Sequence, residues 1–158
     1  MRKSLSLLSG ASAALALAAP LLAGGFWLQL GNPEASAEAR SLKAVLTVRA
    51  VGCHEPEKAT VSGTAVGIVK GQRRSMPLQL KALSEPGMFA LTRQWPAEGR
   101  WVIQLVGENE GAVTSVLVSA GPGGVDRKGA KFANRRPSAE EVEAVLHAGS
   151  APAAVAQK

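Results

Sequence analysis

Residue types on which small exported domains and enzymes often depend are scarce in this chain of 158 residues. It has one cysteine, two histidines, three tryptophans, three phenylalanines and no tyrosine. A single cysteine cannot form an internal disulfide, so the fold must rest on its hydrophobic core. Cys53 is therefore a buried thiol, an intermolecular bridge or a metal ligand.

The sequence also lacks the motifs of common catalytic sites. It has no Gly-x-Ser-x-Gly elbow, no His-Glu-x-x-His zinc site, no Walker loop and no Gly-rich dinucleotide fingerprint. Carboxylates are sparse in the central region and fall in predicted turns, where such groups usually face water. We therefore predict that the protein is not an enzyme.

The N-terminus carries the parts of an export signal. Arg2 and Lys3 precede an apolar stretch over residues 5–30, and small residues follow at 35–37. We expect residues 1–37 to be a signal peptide cut after Ala37; an earlier cut after Ala23 and an uncleaved membrane anchor are the alternatives. The protein would then be extracytoplasmic, either periplasmic or secreted, and membrane-anchored if the segment is retained.

The charge balance is basic, with 18 Lys and Arg against 12 Asp and Glu. Outside the cytoplasm a basic protein meets anionic lipid, cell-wall polymer or an acidic protein more often than nucleic acid. The expected partner is another extracytoplasmic protein or an anionic envelope component, and no nucleic acid. A purely solubilising role for the charge is the alternative.

The central region alternates apolar and polar residues with the period of a β-strand. Six segments show this pattern, and turn sequences such as Glu85-Pro86-Gly87 and Pro96-Ala97-Glu98-Gly99 separate them. Short strands at regular spacing predict an all-β domain over residues 42–120, a β-sandwich or small barrel. The predicted core consists of Leu46, Val48, Val61, Leu78, Leu80, Phe89, Leu91, Trp101, Ile103 and Leu105.

The C-terminal region differs in composition. Residues 121–137 are glycine-rich and then basic, which favours an extended linker. Ser138 and Glu141 form a capping box that opens a short helix over residues 138–148, with Val142, Val145 and Leu146 on one side. Residues 149–158 are rich in alanine and proline, and we expect them to be disordered.

One compact polar cluster follows the first predicted strand of the domain. Cys53 and His54 are ligand types suited to copper, and Met76 and Met88 would add thioethers if their strands lie beside this loop. The alternative is that Cys53 and the methionines pack in the core and His54 is solvated. Cysteine and histidine alone suit copper or zinc, and with the methionines the set resembles a copper site in ligand type.

Surface recognition has three candidate residues. Trp95 borders the turn at 96–99 and could present an indole to a sugar ring or a peptide; packing in the core is its alternative. Arg73 and Arg74 form a basic pair suited to phosphates or acidic surfaces, or are solvated loop charges.

The segment over residues 86–105 resembles a known family. Pro86-Gly87-Met88-Phe89-Ala90-Leu91 is followed by a hairpin, Trp95-Pro96-Ala97-Glu98-Gly99-Arg100-Trp101-Val102-Ile103-Gln104-Leu105. This pattern is similar to that of YtkA/FixH-like extracytoplasmic domains. The resemblance implies an immunoglobulin-like β-sandwich, and such domains are often associated with copper handling or oxidase assembly. The chain has no His/Met-rich copper motif, so the resemblance implies a fold more than a function.

The sequence thus favours a non-enzymatic, exported accessory or binding module that acts through protein or envelope contacts. Copper binding or delivery through Cys53 and His54 is the alternative function. A carbohydrate-binding module that uses Trp95 is the weaker alternative.

Overall fold

The computed structural model describes residues 25–52 and 54–148, which form two antiparallel sheets and two short helices. The strands are β1 (Trp27–Gly31), β2 (Ala44–Val51), β3 (Thr60–Val69), β4 (Gln72–Leu78), β5 (Leu80–Ala82), β6 (Met88–Thr92), β7 (Arg100–Asn109), β8 (Ala112–Gly121) and β9 (Gly124–Ala133). The helices are α1 (Ala37–Ser41) and α2 (Ala139–Ala148). The predicted all-β class with a short C-terminal helix is confirmed.

The two sheets face each other across one apolar core. The four-stranded sheet has the order β1-β2-β6-β5, and the five-stranded sheet has the order β4-β3-β7-β8-β9. Leu28, Leu46 and Leu91 of the first sheet pack against a layer of the second that includes Trp101, Ile103 and Val116. Because side chains alternate across each strand, the two inner faces supply this core and the protein is a β-sandwich.

Most of the predicted core residues are buried as expected. Leu46, Val48, Leu78, Leu91, Trp101, Ile103 and Leu105 are buried, whereas Val61 and Leu80 are partly buried at its margin. Phe89 is half-buried and lies outside this core.

The structure differs from the sequence prediction in two segments. Residues 25–41, which were included in or next to the export segment, begin the domain with β1, a 3₁₀ turn and α1. Residues 124–133, predicted as linker, form β9 along the edge of the five-stranded sheet. The domain therefore extends beyond the predicted range of 42–120 at both ends.

Helix α2 begins with the predicted capping box. Ser138 Oγ accepts the Glu141 N–H at 3.2 Å, and Glu141 Oε2 accepts the Ser138 N–H at 2.8 Å. The expected apolar side of the helix packs against Val66, Val102 and Leu117, on the face of the sheet that points away from the main core. This docking stabilises a helix that would be too short to persist alone.

Glu141 also stabilises the segment that connects β9 to α2. Its carboxylate accepts two hydrogen bonds from the Arg135 guanidinium, at 2.7 and 2.8 Å. These bonds, followed by the bond from the Ser138 backbone, lower the pKa of Glu141 from 4.5 to about 2.

This pKa predicts an acid-sensitive junction between β9 and α2. Because the pKa is lower in the folded state, the carboxylate stabilises the fold above about pH 4.5, and this contribution is lost as the pH falls toward 2. We expect Glu141→Gln to show a shallower loss of stability over that range than the wild type, measured by urea unfolding at several pH values. Parallel curves for the two proteins would contradict the assignment.

Candidate functional site

Among the described residues, the large exposed apolar side chains lie on one lateral side of the sandwich, where the edge strands β1 and β9 line a common groove. Trp27 of β1 is 46% exposed and Phe132 of β9 is 57% exposed. A groove of about 550 Å³ between the strands is lined by Trp27, Leu28, Gln29, Leu30, Arg127 and Phe132. We call this surface, together with the exposed Lys128 and Lys131 of β9, the β1/β9 face; Lys131 pairs with Leu117 and so lies beside the groove, in the outward-facing row of the strand.

The strand register explains why these aromatic side chains are exposed. Phe132 pairs with Val116, a fully buried residue of β8, so it belongs to the inward-facing row of β9. Trp27 is the first residue of β1 and pairs with Val51 at the end of β2. Since each strand is the edge of its sheet, no further strand of the described chain covers either aromatic ring. Leu28, between them, is only 1% exposed, so the groove borders the core itself.

A bulge in β9 adds positive charge to this face. The pairing between β8 and β9 shifts between Leu117 and Ser119, and the extra residues of β9 form a local turn. Asp126 Oδ1 accepts the backbone N–H groups of Lys128 and Gly129, both at 3.1 Å, which holds this turn together. Arg127 and Lys128 are exposed on it.

The cations of the β1/β9 face differ in their ion pairing from the two arginines that follow them in the chain. Arg135 pairs with Glu141 and Arg136 pairs with Glu108. Across residues 25–52 and 54–148, Arg127, Lys128 and Lys131 form no ion pair. The face therefore combines exposed aromatic rings with positive charge that the fold itself leaves uncompensated.

A second cavity, of about 410 Å³, lies between α2 and the outer side of β8 and β9. Its lining includes Leu117, Val145, Ala144 and Lys131. Glu141 stands at its margin but is engaged by Arg135. The cavity shares Lys131 and Phe132 with the β1/β9 face, so it extends the apolar surface around β9.

The predicted copper ligands are only partly brought together. Cys53 lies outside the described residues. His54 is exposed, and its carbonyl accepts the Asn109 side-chain amide at 2.6 Å. Met88 begins β6 directly after Gly87, where an added Cβ would lie 3.3 Å from Cα of Glu57, so the start of this strand adjoins the loop.

Met76 is in a different part of the molecule. It lies on β4 opposite Ala65 and packs partly against the core. Ala65 is five residues along β3 from Thr60, roughly 16 Å at the rise of a strand, and Thr60 is the end of β3 nearest the loop. In the part of the chain that the structure describes, no three His, Cys, Asp or Glu side chains cluster as a metal site would require.

The predicted surface residues also have other roles. Trp95 is 3% exposed and belongs to the core, with the Arg93 guanidinium 6.0 Å from its ring centre, so it offers no platform for a ligand. Arg73 lies within β4, not in a loop, and pairs with Glu143 of α2. Arg74 is exposed on the same edge strand, opposite Gly67.

Sequence reasoning missed the β1/β9 face because both of its strands were assigned to other segments. Trp27 was counted in the export segment and Phe132 in a linker. Alternation was present in both: Leu28 and Leu30 flank Gln29, and Ala130 and Phe132 flank Lys131. Each run is too short or too polar to stand out without knowledge of its neighbouring strand.

Comparisons with known proteins leave the chain without an assigned relative. No family model matches it, and neither the curated proteins nor the solved structures contain a match. Over the residues that the structure describes, no helix has the length and apolar character needed to cross a membrane.

Proposed function

We propose that the chain is an immunoglobulin-like binding module that is exported and acts outside the cytoplasm by contact rather than by catalysis. The strand order supports the immunoglobulin-like topology. The order β1-β2-β6-β5 corresponds to strands A, B, E and D of that fold, and β4-β3-β7-β8 corresponds to C′, C, F and G. Strand β9 is an addition beside the last of these.

The β1/β9 face is the observation that carries the contact function. Exposed apolar surface bordered by charge is characteristic of interaction sites, since burial of Trp27 and Phe132 against a partner would remove their apolar area from water. Aromatic side chains and arginine are also the residue types that contribute most to binding at interfaces. Arg127 lines the same groove as both aromatic rings.

The position of β1 supports a revised export segment. Trp27 and Leu28 lie in a strand that pairs over five positions with β2. Cleavage after Ala37 would remove this strand, whereas cleavage after Ala23 would leave it intact. We therefore place the export segment in residues 1–23, with retention as an anchor as the alternative.

The contact function predicts that the β1/β9 face meets another molecule in living cells. We expect a photoreactive phenylalanine analogue in place of Phe132 to form covalent adducts, because this side chain is 57% exposed on the proposed contact surface. The matched control replaces Ser75, an exposed residue on β4 at the opposite edge of the same sheet. Adducts at neither position, or equal adducts at both, would contradict the proposal.

Export is tested separately. Alkaline phosphatase is active only where its disulfides form, outside the cytoplasm. Fused to Lys158, it should be active, and removal of residues 1–23 should abolish this activity. An inactive fusion with the full chain would overturn the export part of the proposal.

A further inference from the structure

We infer that the β1/β9 face rests on the surface of an anionic lipid bilayer. This inference deepens the proposed function, because it depends on export and names the partner of the contact surface. Three observations support it: the exposed rings of Trp27 and Phe132, the cations of β9 that form no ion pair, and the position of β1 at the end of the apolar N-terminal stretch.

The chain reaches this face directly from its apolar N-terminal stretch. The apolar stretch over residues 5–30 runs into the domain, and Trp27 within it is on the face. Residues 25–26 line one cavity with Asn134, Arg135 and Arg136, just beyond the C-terminal end of β9. In the alternative in which residues 1–23 are retained as an anchor, the strand that follows emerges beside lipid, and tryptophan is enriched at that depth.

The charge of the face matches anionic headgroups. Arg127, Lys128 and Lys131 oppose a single carboxylate, Asp126, which is engaged by two backbone N–H groups. Exposed aromatic rings beside lysine and arginine form the pattern by which interfacial segments bind lipid: the rings enter the headgroup boundary and the cations stay at the phosphates.

The same features disfavour a second copy of the chain as the occupant. Pairing of β9 with its counterpart in another molecule would bring Arg127, Lys128 and Lys131 of each chain together, which like charges oppose. The bulge at 126–129 also interrupts the strand edge that such pairing needs. A flat anionic surface requires no continuous strand edge.

The test uses the full chain reconstituted in vesicles of phosphatidylglycerol with brominated acyl chains, which quench nearby tryptophan. Trp95 and Trp101 are 3% and 1% exposed, so in a Trp27→Phe background only shielded indoles remain. A tryptophan is then introduced by Phe132→Trp, by Ser75→Trp on the opposite edge, or by Glu110→Trp at the β7–β8 turn beside the N-terminal end of β1. Gly111 lines the same cavity as residues 25–26, so position 110 controls for the quenching that membrane insertion of the export segment alone would cause.

We expect strong quenching at position 132 and little at positions 75 and 110. Quenching at 132 should weaken in phosphatidylcholine vesicles and at high salt. Combining Arg127→Gln, Lys128→Gln and Lys131→Gln should reduce the docking equilibrium by about fivefold for each cation removed. The control changes Lys43, Arg74 and Lys81 to glutamine, which removes the same charge from other surfaces and should leave the quenching unchanged.

Three results would overturn the inference. They are absence of quenching at 132, stronger quenching at 110 than at 132, and equal weakening by the two triple variants. If quenching is absent while the position-132 adduct forms on a protein in cells, the contact function stands and its partner is a protein. If the phosphatase fusion is inactive, the proposed function itself fails.

Discussion

Replacing Leu28 by alanine will lower the free energy of unfolding by about 2–5 kcal/mol, which is the range for leucine truncation in a close-packed core. Leu28 is 1% exposed and packs in the main core between the sheets. It also lies close to Gly107, since a Cβ added there would be 2.8 Å from a Leu28 methyl carbon. Urea unfolding of a chain that starts at residue 24 measures the effect.

The neighbouring Gln29 provides the matched control. It lies on the same strand but is exposed, so Gln29→Ala should change stability by less than about 0.5 kcal/mol. A chain that starts at residue 38, the product of cleavage after Ala37, lacks β1 entirely and should fail to unfold cooperatively. Equal stability of the chains that start at residues 24 and 38 would contradict the place of β1 in the domain.

Gly67→Ala should be comparably destabilising, by about 3 kcal/mol or more, because it overfills a packed site. Gly67 lies opposite Trp101 in the pairing of β3 with β7. A Cβ at this position would be 2.4 Å from two carbons of the indole ring and 2.7 Å from the Arg100 carbonyl oxygen. The indole is 1% exposed and donates to the Glu98 carbonyl at 2.9 Å, so burial and this hydrogen bond both restrict its movement.

A double-mutant cycle isolates this contact. Trp101→Leu alone removes core volume and is destabilising, but it also frees the space that the new methyl group needs. Gly67→Ala should therefore cost less in the Trp101→Leu background than in the wild type. An equal cost in both backgrounds would show that the steric conflict is with the backbone of β7 and not with the ring.

Trp101 and Leu28 show how the core of the sandwich lies relative to the β1/β9 face. Trp101 is buried in the core on the central strand β7, whereas Leu28 is buried in the same core on the edge strand β1. Trp27 and Phe132 line the groove on this side and remain partly in water. A partner that covers Trp27 and Phe132 would bury apolar surface that the folded chain leaves in contact with water.

The regular strands could be predicted from the sequence because each carries its own periodic signal. Leu46 and Val48 on β2, and Ile103 and Leu105 on β7, alternate with other residues over long runs, and turn residues mark where those runs end. The capping box of α2 is equally local, since Ser138 and Glu141 satisfy each other's backbone groups within a single turn. Local chemistry decides such elements, so the sequence predicts them.

The candidate site was not predictable in the same way. Trp27 lies in a stretch whose apolar character suits an export segment as well as a strand, and only its pairing with β2 distinguishes the two. The residues around Phe132 are too basic to indicate a strand until β8 is present beside them. Trp95 and Arg73 were candidates for surface recognition, but Trp95 is buried in the core and Arg73 pairs with Glu143 of α2.

The sequence by itself determined the all-β class, most of the core and the helix that ends the domain, because residue period and capping act over a few neighbouring positions. Only the tertiary structure decided that β1 and β9 belong to the domain, that they lie on one side of it, and that Met76 is far from the His54 loop. These are matters of strand order and register between residues distant in the chain. Such pairings depend on how whole sheets pack, which no short stretch of sequence contains.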